Sequence, residues 1–436
     1  MTIRVKRGVV RNWSGAASAR PESVVYARTV EDVVDAVRQA AARGLPVKAI
    51  GAGHSFTPIA LTDGVLVDVS GLEGVLVYDP DTLRVTLAAG TNLWQLPELI
   101  RPLGLALENM GDIDRQTIAG ATSSGTHGTG IGLGGLATQI RSVTLVTASG
   151  EVLTIGENDP RFGAARLGLG ALGILVAIEL QCVKAFLLHA VERGEPFDVI
   201  DELLPRAREH DHVEAYWWPH TDRLSTKTND RLPSDAPYQP LGRAAAWVED
   251  ELLGNGAHIA ICTLGLVAPA LTPSLNRLAA SLYGNRSFTG ESYDVFTSPR
   301  RVRFREMEYS IPAEALPAAI REIRTMIDRS GWRISFPVEL RFAAADDVWL
   351  STAYGRESAY IAVHRYHREA PWPYFRAVER ILRAYEGRPH WGKVHTRTRE
   401  DLEPVYPKLA AFAAVRDELD PDRVFQNAYT RRILGP

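Results

Sequence analysis

Val30, Val33, Val34, Val37 and Ala41 recur at helical spacing on one face, and Thr29 with Asp32 makes a capping box ahead of them. Residues 29–43 are therefore predicted to be a helix that stops at Gly44. Leu45–Ile50 and Val65–Val69 are short apolar runs of strand length, with Gly51-Ala52-Gly53-His54-Ser55-Phe56 between them. Leu76–Tyr78 and Leu83–Leu87 flank Asp79-Pro80-Asp81-Thr82, and Val143–Thr147 and Val152–Ile155 flank Ala148-Ser149-Gly150-Glu151. Turn residues between β-like runs predict two hairpins. Ile174–Val183 reads as a further buried strand. Helix mixed with hairpins over the first 184 residues predicts an α+β domain and not repeated βαβ units. Beyond residue 185 the pattern changes, with a helix expected at Leu316–Ile327 and strands at His258–Leu266 and Tyr360–Val363. Asp230–Leu241, which holds Pro233, Pro237 and Pro240, is expected to be a surface loop within that second domain.

Composition narrows the function classes. The chain has 436 residues, 45% hydrophobic and 23% charged, which excludes disorder for most of its length and suits two or three domains. Its 49 Lys and Arg oppose 52 Asp and Glu, for a net charge of −3. Basic residues are mixed among acidic ones, so there is no concentrated positive surface for nucleic acid. Cys182 and Cys262 both sit in largely apolar runs, and two cysteines make neither a disulfide framework nor a thiolate zinc site. Met1-Thr2-Ile3-Arg4-Val5-Lys6-Arg7 leads into polar sequence without an apolar signal region, and no membrane-length apolar run follows. A cytoplasmic protein is expected, with redox chemistry supplied by something other than thiols.

The 36 glycines are unevenly placed. Gly120, Gly125, Gly128, Gly130, Gly132, Gly134 and Gly135 crowd one stretch among Thr122, Ser123, Ser124, Thr126, His127 and Thr129. Such a segment either gathers amides and hydroxyls around an anion or forms a flexible surface loop. Gly51–Phe56 follows a strand, where a tight turn presents amides to a pyrophosphate. It is not a Rossmann fingerprint, because Phe56 replaces the third glycine. Gly168-Leu169-Gly170-Ala171-Leu172-Gly173 matches that fingerprint literally but runs into a strand, so packing and turn glycines are expected there. Taken alone, His54 reads more readily as structural. Glu339 and Arg341, two apart on an expected strand, point to one side, either as a surface ion pair or as a site that orients a hydroxyl. His210, His212 and His220 have poor spacing for zinc, so no metal is expected.

In their order along the chain these segments resemble the aldonolactone and alditol oxidoreductases of the vanillyl-alcohol-oxidase-type flavoproteins. Gly51-Ala52-Gly53-His54-Ser55-Phe56 is similar to the family's flavin-linking turn, and Gly120 to Gly130, with Ser124-Gly125-Thr126-His127-Gly128, to its diphosphate loop. Leu172-Gly173-Ile174 is similar to the last cofactor-binding strand. Glu339-Leu340-Arg341 and His390-Trp391-Gly392-Lys393 resemble the substrate- and flavin-facing elements, and Phe425-Gln426-Asn427-Ala428 the tail. The resemblance implies an α+β protein with a PCMH-type FAD-binding domain at 1–184, an α+β substrate (cap) domain at 185–400, and a tail at 401–436 that returns to the first. It implies FAD linked covalently to His54, with Gly51, Ala52, Gly53, Ser55, Gly111, Asp112, Thr117, Gly120, Ser124, Gly125, Thr126, His127 and Ile174 at the cofactor. Arg341 would hold the reacting oxygen, Glu339 accept hydroxyl hydrogens, Lys393 lie at flavin N1 and the C2 carbonyl, and His364 touch the substrate.

The implied substrate is a small sugar-derived lactone or polyol. Two departures from the alditol-oxidase pattern, Gly111 after Asn109-Met110 and Tyr366 two residues beyond His364, favour the C2 hydroxyl of an L-gulono- or L-galactono-1,4-lactone. Arg388-Pro389-His390-Trp391-Gly392-Lys393-Val394-His395 points the same way. Alditol oxidation and lactone dehydrogenation with another electron acceptor are the alternatives. Gly111, small beside the flavin in this family, favours O2 as acceptor.

Overall fold

The computed structural model describes residues 6–242, 247–282 and 285–436. The polar start read at Met1 to Val5 lies outside them.

The predicted first helix runs Val30–Ala42, with the Thr29–Asp32 capping box formed. Its buried residues are Val33, Ala36, Val37 and Ala40, while Ala41 faces solvent, so the inner face is turned slightly from the one expected. It packs on a parallel sheet ordered Ser23–Tyr26, Val65–Asp68, Val47–Ile50. The two hairpins form as Val75–Asp79 with Arg84–Ala88 and Ile140–Val146 with Val152–Gly156. Ile174–Gln181 lies between them and pairs with both, which makes one five-stranded antiparallel sheet. Gly173 has φ +153°, and a Cβ on it would fall 2.7 Å from the Val146 carbonyl oxygen. The glycines at 168–173 therefore serve close strand approach, with no helix following them.

The second sheet has eight antiparallel strands, ordered Arg286–Glu291, Leu187–Pro196, Arg223–Leu232, His212–Trp217, Val338–Ala343, Ser358–Tyr366, Phe304–Pro312, Arg388–Pro389. Alternation along its four inner strands separates two surfaces. Val213, Ala215, Trp217, Leu340, Phe342, Ile361, Val363, Met307 and Tyr309 point into a core shared with helices Leu316–Ser330 and Trp372–Ala384. The residues between them point the other way and carry the polar groups described below.

The strand expected at His258–Leu266 is instead a helix, His258–Val267. A nine-residue apolar run is compatible with either element by pattern alone. Helical winding turns Ile261, Cys262 and Gly265 inward, which keeps Cys262 buried as expected. The loop expected from Asp230 begins only after Leu232, where its strand ends.

Leu402, Tyr406, Leu409, Phe412, Tyr429, Ile433 and Leu434 from the end of the chain join the same apolar core as Leu87, Ile118 and Leu145. Asn427 fastens this tail. Its side-chain amide donates to the carbonyls of Pro58 (3.0 Å), Ile59 (3.0 Å) and Leu61 (2.8 Å), while its Oδ1 caps the last helix at Thr430 N (2.8 Å). Among the described residues no helix is long and apolar enough to cross a membrane.

Candidate active site

The turn after Val47–Ile50 is shaped for close approach. Gly53 has φ +67°, and a Cβ on Gly51 would fall 2.1 Å from Thr117 Oγ1. Among the described residues, no main-chain carbonyl accepts from the backbone N–H groups of Gly51, Ala52, Gly53, His54 or Ser55. Consecutive unspent amides in a turn call for an anionic acceptor. Gly51 to Ser55, Thr117 and Gly120 line a cavity of about 50 Å³. Its walls share His54, Ser55 and Gln116 with a much larger cavity of about 1380 Å³.

The glycine-rich stretch opens with a helix. Residues Ile118–Ser124 form a short helix, closed by Gly125 in the left-handed region at φ +84°. Ile118 N–H donates to Thr91 O, Ala119 N–H to Ala89 O, and Gly120 N–H to Thr117 Oγ1. Thr117 and Gly120 face the 51–55 turn across the small cavity, and the backbone N–H groups of His127, Gly128, Thr129, Gly132, Gly134 and Gly135 likewise have no main-chain carbonyl acceptor among the described residues. Ser124, Thr126 and His127 reach the large cavity. Gly125 and Ile174 line neither cavity, and Ile174 is buried with Val146 and Val176 in the core under the parallel sheet.

His54 stacks on Trp13, with ring centroids 5.5 Å apart and planes at 20°. Burial, reinforced by the Lys393 and Arg115 charges, pushes its pKa down to about 4, so the imidazole is neutral at physiological pH. The following residues tie this turn to the segment that carries Lys393. Phe56 N–H donates to Gly392 O at 2.6 Å, Thr57 Oγ1 donates to Trp391 O at 3.1 Å, and Lys393 Nζ lies over the Phe56 ring. His54 and Lys393 thus face one space although 339 positions separate them (393 − 54).

The polar surface of the eight-stranded sheet forms the opposite wall. Glu339 and Arg341 do share a side, as their spacing predicts, and the surface ion pair is excluded because Arg341 is only 8% exposed. Arg341 Nη2 lies 2.6 Å from Glu339 Oε1 and 3.7 Å from Asp112 Oδ1, and its Nε donates to Glu214 Oε2 at 3.1 Å. Burial pushes Glu339 up to about 7, the Asp112 and Glu214 charges adding to it against the pull of Arg341. Burial also opposes ionisation of Asp112, but Arg341 and Arg300 hold it down at about 2. One buried guanidinium thus faces three carboxylates, and the excess negative charge is relieved at Glu339.

A second cluster adjoins the first. Lys393 Nζ lies 2.5 Å from Glu306 Oε2 and 3.7 Å from Glu308 Oε2. Burial disfavours its charge, yet these carboxylates hold its pKa above the usual lysine value. His364 places Nε2 3.5 Å from Glu306 and Nδ1 3.1 Å from the Pro337 carbonyl. His127 meets Glu308 Oε1 through Nε2 and Gly128 O through Nδ1, both at 2.9 Å, and stacks on Tyr360. By contrast, His210, His212 and His220 separate onto Asp230, Asn229 and Ile334.

Glu214, Tyr216, Glu306 and Glu308 were not singled out from sequence. Their signal is strand alternation, with Glu214 and Tyr216 set between Val213, Ala215 and Trp217, and Glu306 and Glu308 around Met307. Pairings Tyr216↔Glu339 and Glu306↔His364 then bring them to one face.

An FAD binding domain model matches residues 21–156, and a D-arabinono-1,4-lactone oxidase model matches residues 178–433. The turn with its unspent amides and the adjoining cavity fit a diphosphate-bearing flavin. This is a FAD-dependent oxidoreductase acting on CH–OH groups. The chain belongs to the D-arabinono-1,4-lactone oxidase family. It is 43% identical to an L-gulono-1,4-lactone dehydrogenase of Mycobacterium tuberculosis, over 98% of this chain and 99% of that one. It is 33% identical to an L-gulonolactone oxidase of Bos taurus, over 97% and 98%. Among solved structures, cholesterol oxidase from B. sterolicum shares the fold, with TM-score 0.82 at 18% identity over 99% of this chain and 97% of that one.

Proposed function

We propose that this protein oxidises the C2 hydroxyl of an L-gulono- or L-galactono-1,4-lactone. FAD, when bound, supplies the hydride acceptor. The observation that carries the reading is the buried Arg341, aimed into the cavity between Glu339 and Asp112 and facing the wall that holds His54 and Lys393. Arg341 hydrogen-bonds the reacting oxygen and stabilises the negative charge that develops there, where a fixed cation in a water-poor pocket acts most strongly. Glu339 accepts hydroxyl hydrogens of the substrate and keeps Arg341 in place. Lys393 holds its ammonium at the pyrimidine end of the cofactor, and His364 contacts the substrate. His54, neutral and fixed against Trp13, is the residue that would hold the flavin covalently through its 8α-methyl group.

A lactone is favoured over an alditol because Tyr366 offers no hydroxyl to the cavity. Its ring is buried with Phe56, Phe304 and Phe336. Oxygen is favoured as acceptor by Gly111, which lines the cavity without a side chain. The name of the Mycobacterium relative favours the second reading, a lactone dehydrogenase using another acceptor.

The test is a spectrum of the purified protein under nitrogen. L-gulono-1,4-lactone is expected to bleach the flavin band at about 450 nm, and xylitol is expected to leave it unchanged. Bleaching by xylitol alone, or by neither, overturns the lactone reading. Admitting air then separates the acceptors. Prompt recovery of the band with one peroxide per lactone supports oxygen, and a flavin that stays reduced overturns it.

A further inference from the structure

Glu306 is the nearest countercharge to Lys393, and nothing in the reading above employs it. It projects from Phe304–Pro312 on the polar side of the sheet, 5% exposed, with Oε2 2.5 Å from Lys393 Nζ and Oε1 3.5 Å from His364 Nε2. Glu308 sits two residues along on the same side, but its position is different in kind. Its Oε1 is occupied by His127 at 2.9 Å, and its other oxygen is 3.7 Å from the ammonium. Glu308 is therefore engaged by His127, while Glu306 is in direct contact with Lys393. Lys393 itself is 22% exposed at its side chain and lines the cavity, so one side of the ammonium is open to whatever fills that space.

A cation beside the pyrimidine end of a flavin stabilises the reduced, anionic ring. A carboxylate in contact with that cation removes part of the effect, because opposite charges in a buried site interact strongly and appear from outside as a dipole. We infer that Glu306 is a positioning residue that fixes the Lys393 ammonium at the cavity wall and, by partly cancelling its charge, lowers the reduction potential of the bound flavin. The inference rests on placing Lys393 at the pyrimidine end of FAD. Its contact with His364 extends the same carboxylate to the substrate side, so one residue sets the pose of a group on each side of the reaction.

The experiment measures sulfite affinity and midpoint potential of the holoenzyme, neither of which depends on turnover. Glu306→Gln keeps the shape and an acceptor oxygen for Lys393 but removes the charge. It is expected to bind sulfite at least tenfold more tightly and to raise the two-electron potential. Lys393→Met is expected to weaken sulfite binding at least tenfold. If Lys393→Met changes neither quantity, the placement of Lys393 fails. If Lys393→Met behaves as expected but Glu306→Gln binds sulfite no more tightly than the parent, the role of Glu306 is overturned. Should Glu306→Gln not retain flavin, Glu306→Asp serves, because its shorter side chain weakens the contact. It is expected to tighten sulfite binding at least threefold, and an unchanged affinity there overturns the inference equally.

Discussion

Arg341 Nη2 lies 2.6 Å from Glu339 Oε1, and both side chains project from alternate positions of the strand Val338–Ala343 into one buried cavity. Glu214 and Asp112 add to the partners of Arg341. An unpaired guanidinium or carboxylate at this depth would cost several kcal/mol, so the pair is held together before any substrate arrives.

The proposed roles predict that Glu339→Ala and Arg341→Ala fold and retain FAD, with lactone turnover reduced at least about a hundredfold, the scale of losing an electrostatic contact at the reacting atom. Stopped-flow reduction of the flavin measures this directly. Reduction rates near the parent's in both variants would exclude these residues from the chemistry.

Glu339 also sets a pH dependence. Burial raises its pKa to about 7, so below that pH one of its oxygens carries a proton and donates, while above it both oxygens accept hydroxyl hydrogens. The rate of flavin reduction by lactone is expected to rise as pH increases through about 7 and then level off. Glu339→Gln is expected to flatten that rise, and an unaltered profile in the variant would assign the titration to another group.

For His54, acid precipitation is decisive. Flavin is expected to stay with the parent protein in the pellet, and His54→Ala is expected to bind FAD yet release it into the supernatant. Free flavin from the acid-treated parent, once shown to be fully loaded, would remove the covalent bond from the proposal.

Asn427 predicts a structural coupling between the tail and the segment that follows the 51–55 turn. Asn427→Ala removes a helix cap and the donor to Pro58, Ile59 and Leu61. Losing a cap and leaving carbonyls underpaired costs about 2 kcal/mol. Equilibrium urea unfolding should show that loss, accompanied by weaker retention of FAD in the His54→Ala background. An unchanged unfolding midpoint would show that the tail is held by its apolar residues alone.

Local features of the fold were legible because their causes are local. The Thr29–Asp32 capping box, the turn residues at 79–82 and 148–151, and the two-residue spacing of Glu339 and Arg341 each act within a few positions of the chain. The run His258–Leu266, expected as a strand, holds no such local signal. Its apolar residues satisfy either period, and only burial of Ile261 and Cys262 against neighbouring elements selects the helix.

The sequence by itself determined the glycine turn at 51–55, the helix before it, the hairpins, and the candidate chemistry at His54, Glu339, Arg341 and Lys393. Tertiary structure alone decided that Ile174–Gln181 joins two hairpins into one sheet, that Ile174 points into a core, and that Glu214, Asp112 and Glu306 complete the charged clusters. The physical reason is that a charge is tolerated at such depth only with a partner, and a partner is chosen by strand register and chain return. Glu214 reaches Arg341 from 127 residues away (341 − 214), and Lys393 reaches the His54 turn through Gly392 and Trp391.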